Sequence, residues 1–335
     1  MNSRRTYKLI GVMVLFLLFA APTYAEYSEN NLVFLCIGQS NMQGNATPEQ
    51  QDKSGFTKSR FRKIYAANSD GSNKGKDAAA VPPLCRQGCG LTPVDYFGRY
   101  LCDSLAYKYK IYVIVVAVAG CGIDAFSKDT LTAKNYFSNQ ESWMQNIAKE
   151  YDSYPYGRLL DLAKKAQQEI GPVKGILFHQ GETDADGTTW ITKVKALYKN
   201  IYTDLGTKES KLHMFVGELV NADQNGACAG KNATIKSLCN SNTHIHMISS
   251  AGCPCETDRL HFTAEGYRMI GKRYGEEVFN FLKKRGYDTK TGAPYILSEE
   301  EKEDIQAIYN MNGQEIYAPQ PGLNIINGKL FYYEQ

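Results

Sequence analysis

Beyond residue 25 the chain has no run approaching the roughly 20 apolar residues that a bilayer crossing needs, so no membrane-spanning segment is expected. Surplus charge is missing as well. Arg4, Arg5 and Lys8 fall in the first 25 residues, where no acid stands, and setting them aside leaves 35 basic against 35 acidic side chains. A chain without net positive charge has little to offer a phosphate backbone, which argues against a nucleic-acid partner. Nor is the composition skewed: 43% apolar and 22% charged residues among 335 exclude a disordered, collagen-like or coiled-coil protein. That length fits one sizeable domain with an appendage.

The first 25 residues hold the one long apolar run, Leu9 to Ala21, preceded by the three basic residues and followed by Thr23-Tyr24-Ala25. A basic start, a short apolar centre and small residues before a cut describe an export signal, residues 1–25, removed after Ala25. No cysteine follows closely enough for a lipid-anchored variant. The mature protein is thus expected to be secreted, periplasmic or held at the cell surface. All nine cysteines lie beyond the cut, in a compartment where bridges form, and an odd count leaves at least one thiol unpaired. Cys36 and Cys102 sit in apolar surroundings and read as small buried hydrophobes. Cys85 with Cys89 and Cys228 with Cys239 are the bridge candidates. Cys253-Pro254-Cys255 has no second pair at finger spacing, so no metal site is expected.

Five short apolar runs follow: Leu32 to Ile37, Tyr112 to Val118, Lys174 to Phe178, Leu212 to Gly217 and Ile245 to Ser249. The first three are nearly unbroken, as suits strands buried on both faces of a parallel sheet. Helical stretches separate them. One is announced by Thr92-Pro93-Val94-Asp95, a cap, a proline at the first helical position and an acid three residues after the cap, and extends to about Lys110. Others cover Tyr156 to Ile170, Thr188 to Leu205, and a final stretch after Thr263 ending near Gly286. The alternation predicts a three-layer α/β/α domain over residues 26–285 with a five-stranded, mostly parallel sheet. A polar linker (286–297) and a small C-terminal β-hairpin appendage (298–335) complete the expected plan, the appendage signalled by Asn312-Gly313 and Asn327-Gly328 between strand-like residues.

In such sheets ligands bind beyond the carboxyl ends of the strands, and three polar clusters stand there. Gly38-Gln39-Ser40-Asn41-Met42-Gln43-Gly44 follows the first strand, His179-Gln180-Gly181-Glu182 follows the third, and Asp258-Arg259-Leu260-His261 precedes the last helix. Read singly, each has a plain alternative: a helix-capping serine, a buried His–Glu hydrogen bond, an exposed Asp beside a capping-region His. Read together, they offer a serine, and an acid and an imidazole three residues apart in one turn, as nucleophilic catalysis requires. Ser40 lacks the Gly-x-Ser-x-Gly of α/β-hydrolases, and the tight Asp–His spacing also departs from that fold. His244 and His246, flanking Ile245, read as an ordinary sheet surface.

These three blocks, in this order, resemble the SGNH hydrolases, and within them the sialate O-acetylesterase-like and acetylxylan esterase branch of the carbohydrate esterases. The resemblance implies that Ser40 is the nucleophile, His261 its base and Asp258 the orienting acid, with no metal or organic cofactor. It also implies an oxyanion hole made of the Ser40 amide, the Gly120 amide and the Gln180 side chain, with His179 and Glu182 supporting the triad from behind. The family's second block, Gly-Gly-Thr/Ser-x-Ile-x-x-Trp, is matched only in part by Ala119-Gly120-Cys121-Gly122-Ile123 and Phe126. The expected substrate is an acetylated oligo- or polysaccharide. Plant polysaccharide such as acetylated xylan is favoured over sialic acid, because the C-terminal segment looks like those on exported enzymes of gut and rumen bacteria. Two alternatives stay open: a lipid or thioester hydrolase of the same superfamily, and a carbohydrate-binding surface protein on a disabled scaffold.

Overall fold

The computed structural model describes residues 27–56, 58–290, 307–316, 320, 322–326 and 329–333. Seven strands form one sheet: β1 (Asn31–Gly38), β2 (Phe61–Ile64), β3 (Asp77–Ala79), β4 (Lys110–Ala117), β5 (Val173–His179), β6 (His213–Gly217) and β7 (Ile245–Ile248). Their order is β3-β2-β4-β1-β5-β6-β7, and every pairing is parallel except that of the edge strand β3 with β2. Five strands were expected and all five are present. The two additional ones are the short β2 and β3, whose Arg62, Lys63 and Asp77 break any apolar run.

Among the described residues nine α-helical segments accompany them: α1 (Ser40–Gln43), α2 (Gln50–Lys53), α3 (Pro93–Ser104), α4 (Thr130–Ser138), α5 (Ser142–Lys149), α6 (Pro155–Glu169), α7 (Thr188–Asp204), α8 (Asn232–Asn240) and α9 (Ala264–Lys284). The strand period of two divides the core. Leu32, Phe34 and Cys36 of β1, with Val113 and Val115 of β4, point to the layer holding α3 and α9. Val33, Leu35 and Ile37, with Ile114 and Val116, point to the layer holding α6 and α7. Because both faces are covered, β1 is buried along its whole length, which is why it reads as an unbroken apolar run.

The helix ends follow their sequence signals. Thr92 Oγ1 accepts from Val94 N at 3.0 Å and Asp95 Oδ2 accepts from Thr92 N at 2.9 Å, closing a capping box on α3. The opposite end of α3 is satisfied by the buried Arg60, whose guanidinium donates to the carbonyls of Cys102, Leu105, Ala106 and Tyr109. Arg268 of α9 clasps both oxygens of the buried Asp52 at 2.9 and 2.8 Å, and Tyr96 of α3 donates to the same carboxylate at 2.8 Å. Three elements are thereby locked on one side of the sheet.

Cys85, Cys89, Cys228 and Cys239 are free thiols, so neither of the two expected bridges is formed, and Cys36, Cys121, Cys253 and Cys255 are free as well. Cys85 and Cys89 nevertheless touch each other, and Cys85 also meets the Tyr151 hydroxyl at 3.2 Å. The start of the expected linker is pinned: Ala106 N donates to Asp288 O and Lys290 N to Ser104 O, so the chain after α9 runs back along the end of α3. Residues 291–297, and the expected export signal 1–25, lie outside the described residues. The appendage forms an antiparallel sheet of β8 (Ile308–Asn310), β9 (Glu315–Ile316), β10 (Gly322–Ile326) and β11 (Lys329–Tyr333), in the order β11-β10-β8-β9. Gly313 turns with φ +75°, as the first Asn-Gly dipeptide predicts. The second, Asn327-Gly328, lies outside the described residues, but the strands flanking it pair antiparallel.

Helices α3 and α9 cross with little space between them. A Cβ on Gly275 would stand 2.6 Å from the Tyr100 Cβ, and one on Gly271 would stand 2.4 Å from the Pro93 carbonyl oxygen. Gly275→Val is therefore expected to lower the unfolding free energy by about 1–3 kcal/mol through overpacking. The gain in helix propensity, at most about 1 kcal/mol, offsets only part of this. A urea midpoint equal to that of the parent would show that the two helices part freely.

Candidate active site

The topology leaves a crevice at the carboxyl end of β1, because the chain places β4 on one side of that strand and β5 on the other. Each of the three strands delivers a polar loop there. Gly38 ends β1 so close to its neighbour that a Cβ would lie 2.0 Å from the His179 carbonyl oxygen. Ser40 then opens the single-turn helix α1 and is nearly buried.

His261 reaches Ser40 from the far end of the chain, its Nε2 standing 2.9 Å from Ser40 Oγ. On the other side of the ring, Nδ1 lies 2.7 Å from Asp258 Oδ2. The second carboxylate oxygen, Oδ1, accepts from the backbone N–H groups of Leu260 and His261 at 2.8 and 3.0 Å, so Asp258 folds its own turn while it holds the imidazole. Arg259, between them, adopts φ +59°, a left-handed conformation uncommon for a residue with a Cβ. Desolvation pushes the Asp258 carboxyl up, but the two amides and the imidazole outweigh it and the net shift is downward, favouring the anion.

The buried Gln180 is held at both ends of its amide. Oε1 accepts from Trp190 Nε1 at 2.7 Å, and Nε2 donates to Asp184 Oδ1 at 2.7 Å. An indole N–H only donates and a carboxylate only accepts, which fixes the amide's orientation. The second amide hydrogen is loosely placed, with Gln39 Oε1 and Cys121 O both 3.3 Å from Nε2. In the loop after β4, Ala119 N donates to Gln43 Oε1, Cys121 N to Val118 O, Gly122 N to Tyr136 Oη and Ile123 N to Asp184 Oδ2. The Gly120 N–H is passed over: among the described residues neither it nor the Ser40 N–H has a partner. Gly120 takes φ +71°, which suits a residue without a side chain.

Asn41, quoted in the sequence motif without a task, proves to be the joint of the site. Its Nδ2 donates to Glu182 Oε1 at 2.7 Å and to Leu260 O at 3.0 Å, while Oδ1 accepts from Phe262 N at 3.2 Å and Tyr267 Oη at 2.9 Å. Leu260 and Phe262 flank His261, so the nucleophile turn and the histidine turn hang on one carboxamide. Glu182 accepts from Asn41, the residue after Ser40. Burial raises its carboxyl from the ordinary 4.5 to about 6. His179 lies behind it, fully buried, with Nε2 3.8 Å from Glu182 Oε1 and its pKa lowered by burial to about 3. Asp184 and Trp190 were not singled out from the sequence. The one available signal for Asp184 was its place four residues after Gln180. Among the described residues no group of three or more His, Cys, Asp and Glu side chains is placed to hold a metal ion.

Two outcomes follow. Asn41→Ala leaves buried partners on three segments without a bond, and at about 1–3 kcal/mol for each such group the unfolding free energy should fall by at least about 3 kcal/mol. A smaller loss in urea titration would mean that the segments hold together without it. The second concerns Glu182. Its folded-state pKa is raised, so its proton stabilises the native state below pH 4.5, and that stabilisation is lost as pH rises through about 6. Relative to Glu182→Gln, the parent should lose about 2 kcal/mol between pH 4 and pH 7. A pH-independent difference between the two would remove Glu182 from this role.

Comparison with known proteins places the site in context. A family model described as carbohydrate esterase, sialic acid-specific acetylesterase, matches residues 30–280. Among solved structures, a protein from Arabidopsis thaliana aligns with TM-score 0.53 at 17% identity, covering 75% of this chain and 98% of its own. A family two carbohydrate esterase from Clostridium thermocellum, solved with cellohexaose, aligns with TM-score 0.39 at 12% identity over 79% of this chain and 67% of its own. An acetyl xylan esterase from the rumen bacterium Butyrivibrio proteoclasticus gives TM-score 0.31 at 10% identity, over 79% and 65%. The Arabidopsis alignment extends to the fold, while the family model spans all three strand-end loops and the histidine turn. The chain belongs to the sialic acid-specific acetylesterase family of carbohydrate esterases and is a carboxylic ester hydrolase.

Proposed function

We propose that this protein is an exported serine esterase that removes O-acetyl groups from carbohydrate through an acyl-enzyme. The observation that carries the reading is the unbroken relay Asp258–His261–Ser40, at 2.7 and 2.9 Å, in the crevice beside β1. His261 Nε2 takes the Ser40 proton as Oγ attacks the acetyl carbonyl carbon, and Asp258 steadies the imidazolium that forms. Negative charge then gathers on the carbonyl oxygen. Three donors are at hand for it: the unpartnered N–H groups of Ser40 and Gly120, and the loosely held second amide hydrogen of Gln180. The sugar hydroxyl leaves with the proton from His261. Water, activated by the same imidazole, then frees acetate. This scheme asks for no metal or organic cofactor. The catalytic unit would be residues 26–285, with the signal 1–25, the linker 286–297 and the appendage 298–335 outside it.

An uncharged acetylated sugar, such as acetylated xylan, suits the electrostatics. Asp258 stands at the relay and Asp184 beside Gln180, while Lys231 is already committed to Asp186 and to the Glu182 and Thr183 carbonyls. An anionic sugar would meet those carboxylates. The family description favours a second reading, O-acetylated sialic acid.

Released acetate, measured with p-nitrophenyl acetate, acetylated xylan and O-acetylated sialic acid, tests both. Turnover of the first two is expected, with sialic acid the poorer sugar. Ser40→Ala should lower kcat by at least about 10⁴-fold. Turnover that survives Ser40→Ala, or a preference for long acyl chains over acetyl, would overturn the proposal.

A further inference from the structure

Trp143 on α5 is about half exposed, whereas Trp190, the other tryptophan of the chain, is buried. A large aromatic surface left in water calls for an explanation, and its position supplies one. The six-membered edge of the indole lies over Gly120, so that a Cβ added there would come within 2.7 Å of Cη2 and 3.5 Å of Cζ2. On the other side of the same residue, the exposed Thr183 donates from Oγ1 to the Gly120 carbonyl at 3.0 Å. Gly120 itself stands between Ala119, tied to Gln43 of the Ser40 turn, and Cys121, whose carbonyl faces Gln180. The exposed indole therefore forms the rim of the crevice on its Gly120 side. Its Nε1–H has no partner among the described residues, which leaves one donor free beside an apolar face.

We propose that Trp143 is the platform on which the pyranose ring of the acetylated substrate stacks, placing its ester over Ser40. This inference rests on the esterase reading above. A pyranose presents a face of C–H groups that an indole covers well, and hydroxyls at its edge that a free N–H can meet, which is the pairing of apolar face and polar tip that aromatic side chains offer at binding sites. An aryl acetate has no sugar ring to stack, so the platform should discriminate by the alcohol part of the ester. Within the chain this assigns a specificity determinant to α5, an element that contributes nothing to the relay.

Two measurements on the mature protein decide it. In Ser40→Ala, tryptophan fluorescence titrated with an acetylated xylo-oligosaccharide should change saturably, and the change should vanish in Ser40→Ala/Trp143→Ala, leaving only the emission of the buried Trp190. In the active protein, Trp143→Ala should raise KM for the oligosaccharide about tenfold or more, with kcat altered much less, and should affect p-nitrophenyl acetate to a clearly smaller degree. Trp143→Tyr should recover most of the loss. Equal loss on both substrates would show that the indole merely supports the Gly120 loop, and an unperturbed fluorescence titration would overturn the platform even if the ester is cleaved. If neither ester is cleaved, the esterase reading falls, yet the fluorescence titration still reports whether sugar reaches Trp143.

Discussion

The site depends on one buried carboxamide. Ser40 and His261 are 221 residues apart, and a contact of 2.9 Å between two side chains of that separation cannot be held by either local turn alone. Asn41 supplies the constraint. Its two donors and two acceptor positions are all used, on the β5 end, on both neighbours of His261 and on α9. A side chain with every hydrogen-bonding position satisfied in a dry interior has one geometry of low energy, since any rotation exposes several unpaired groups at once. The distance between nucleophile and base is thus inherited from a group that need not take part in the chemistry.

That rigidity is obtained against an electrostatic opposition. Glu182 is a carboxyl that burial drives toward its neutral form, and His179 is an imidazole that burial keeps from charging. Neither has a strong counterion: each retains a polar atom without a hydrogen bond, Glu182 Oε2 and His179 Nε2. Burying such groups costs stability, and the fold bears the cost directly behind the crevice. Asp258 is the contrast. Half exposed and held by two backbone amides, it remains an anion where the relay needs one. Two acids in one site thus have their pKa values pushed in opposite directions, Glu182 upward mainly by burial and Asp258 downward by its hydrogen bonds and the imidazole.

The fold was largely legible because its signals are local. β1, β4 and β5 are nearly unbroken apolar runs, and α3 begins with Thr92-Pro93-Val94-Asp95, so neither signal needed knowledge of its partners. β2 and β3 were missed for the complementary reason: four and three residues carrying Arg62, Lys63 and Asp77 have no periodicity to read, and they are strands only because β4 offers an edge to β2 and β2 offers one to β3. The site divides in the same way. Asp258 and His261, three apart in one turn, could be picked out together. Asp184 and Trp190, which fix the Gln180 amide, and Asn41, whose partners lie 141 to 226 residues away, had no local pattern. Tertiary contact alone gives them their tasks.

The arrangement also limits how many long-range placements the chain must get right. Acid and base share one turn, closed by Asp258 Oδ1 on the Leu260 and His261 amides, with the left-handed Arg259 as its pivot. The relation between carboxylate and imidazole is therefore settled within four residues. What remains is to bring that turn to Ser40. This is accomplished by the docking of α9, whose Thr263 cap follows His261 by two residues and whose Arg268 grips Asp52. Were the acid carried on a separate loop, its distance to the imidazole would vary with every shift of either loop. Here a displacement of the turn moves acid and base together, and only the contact with the serine is at stake, which is the contact that Asn41 guards.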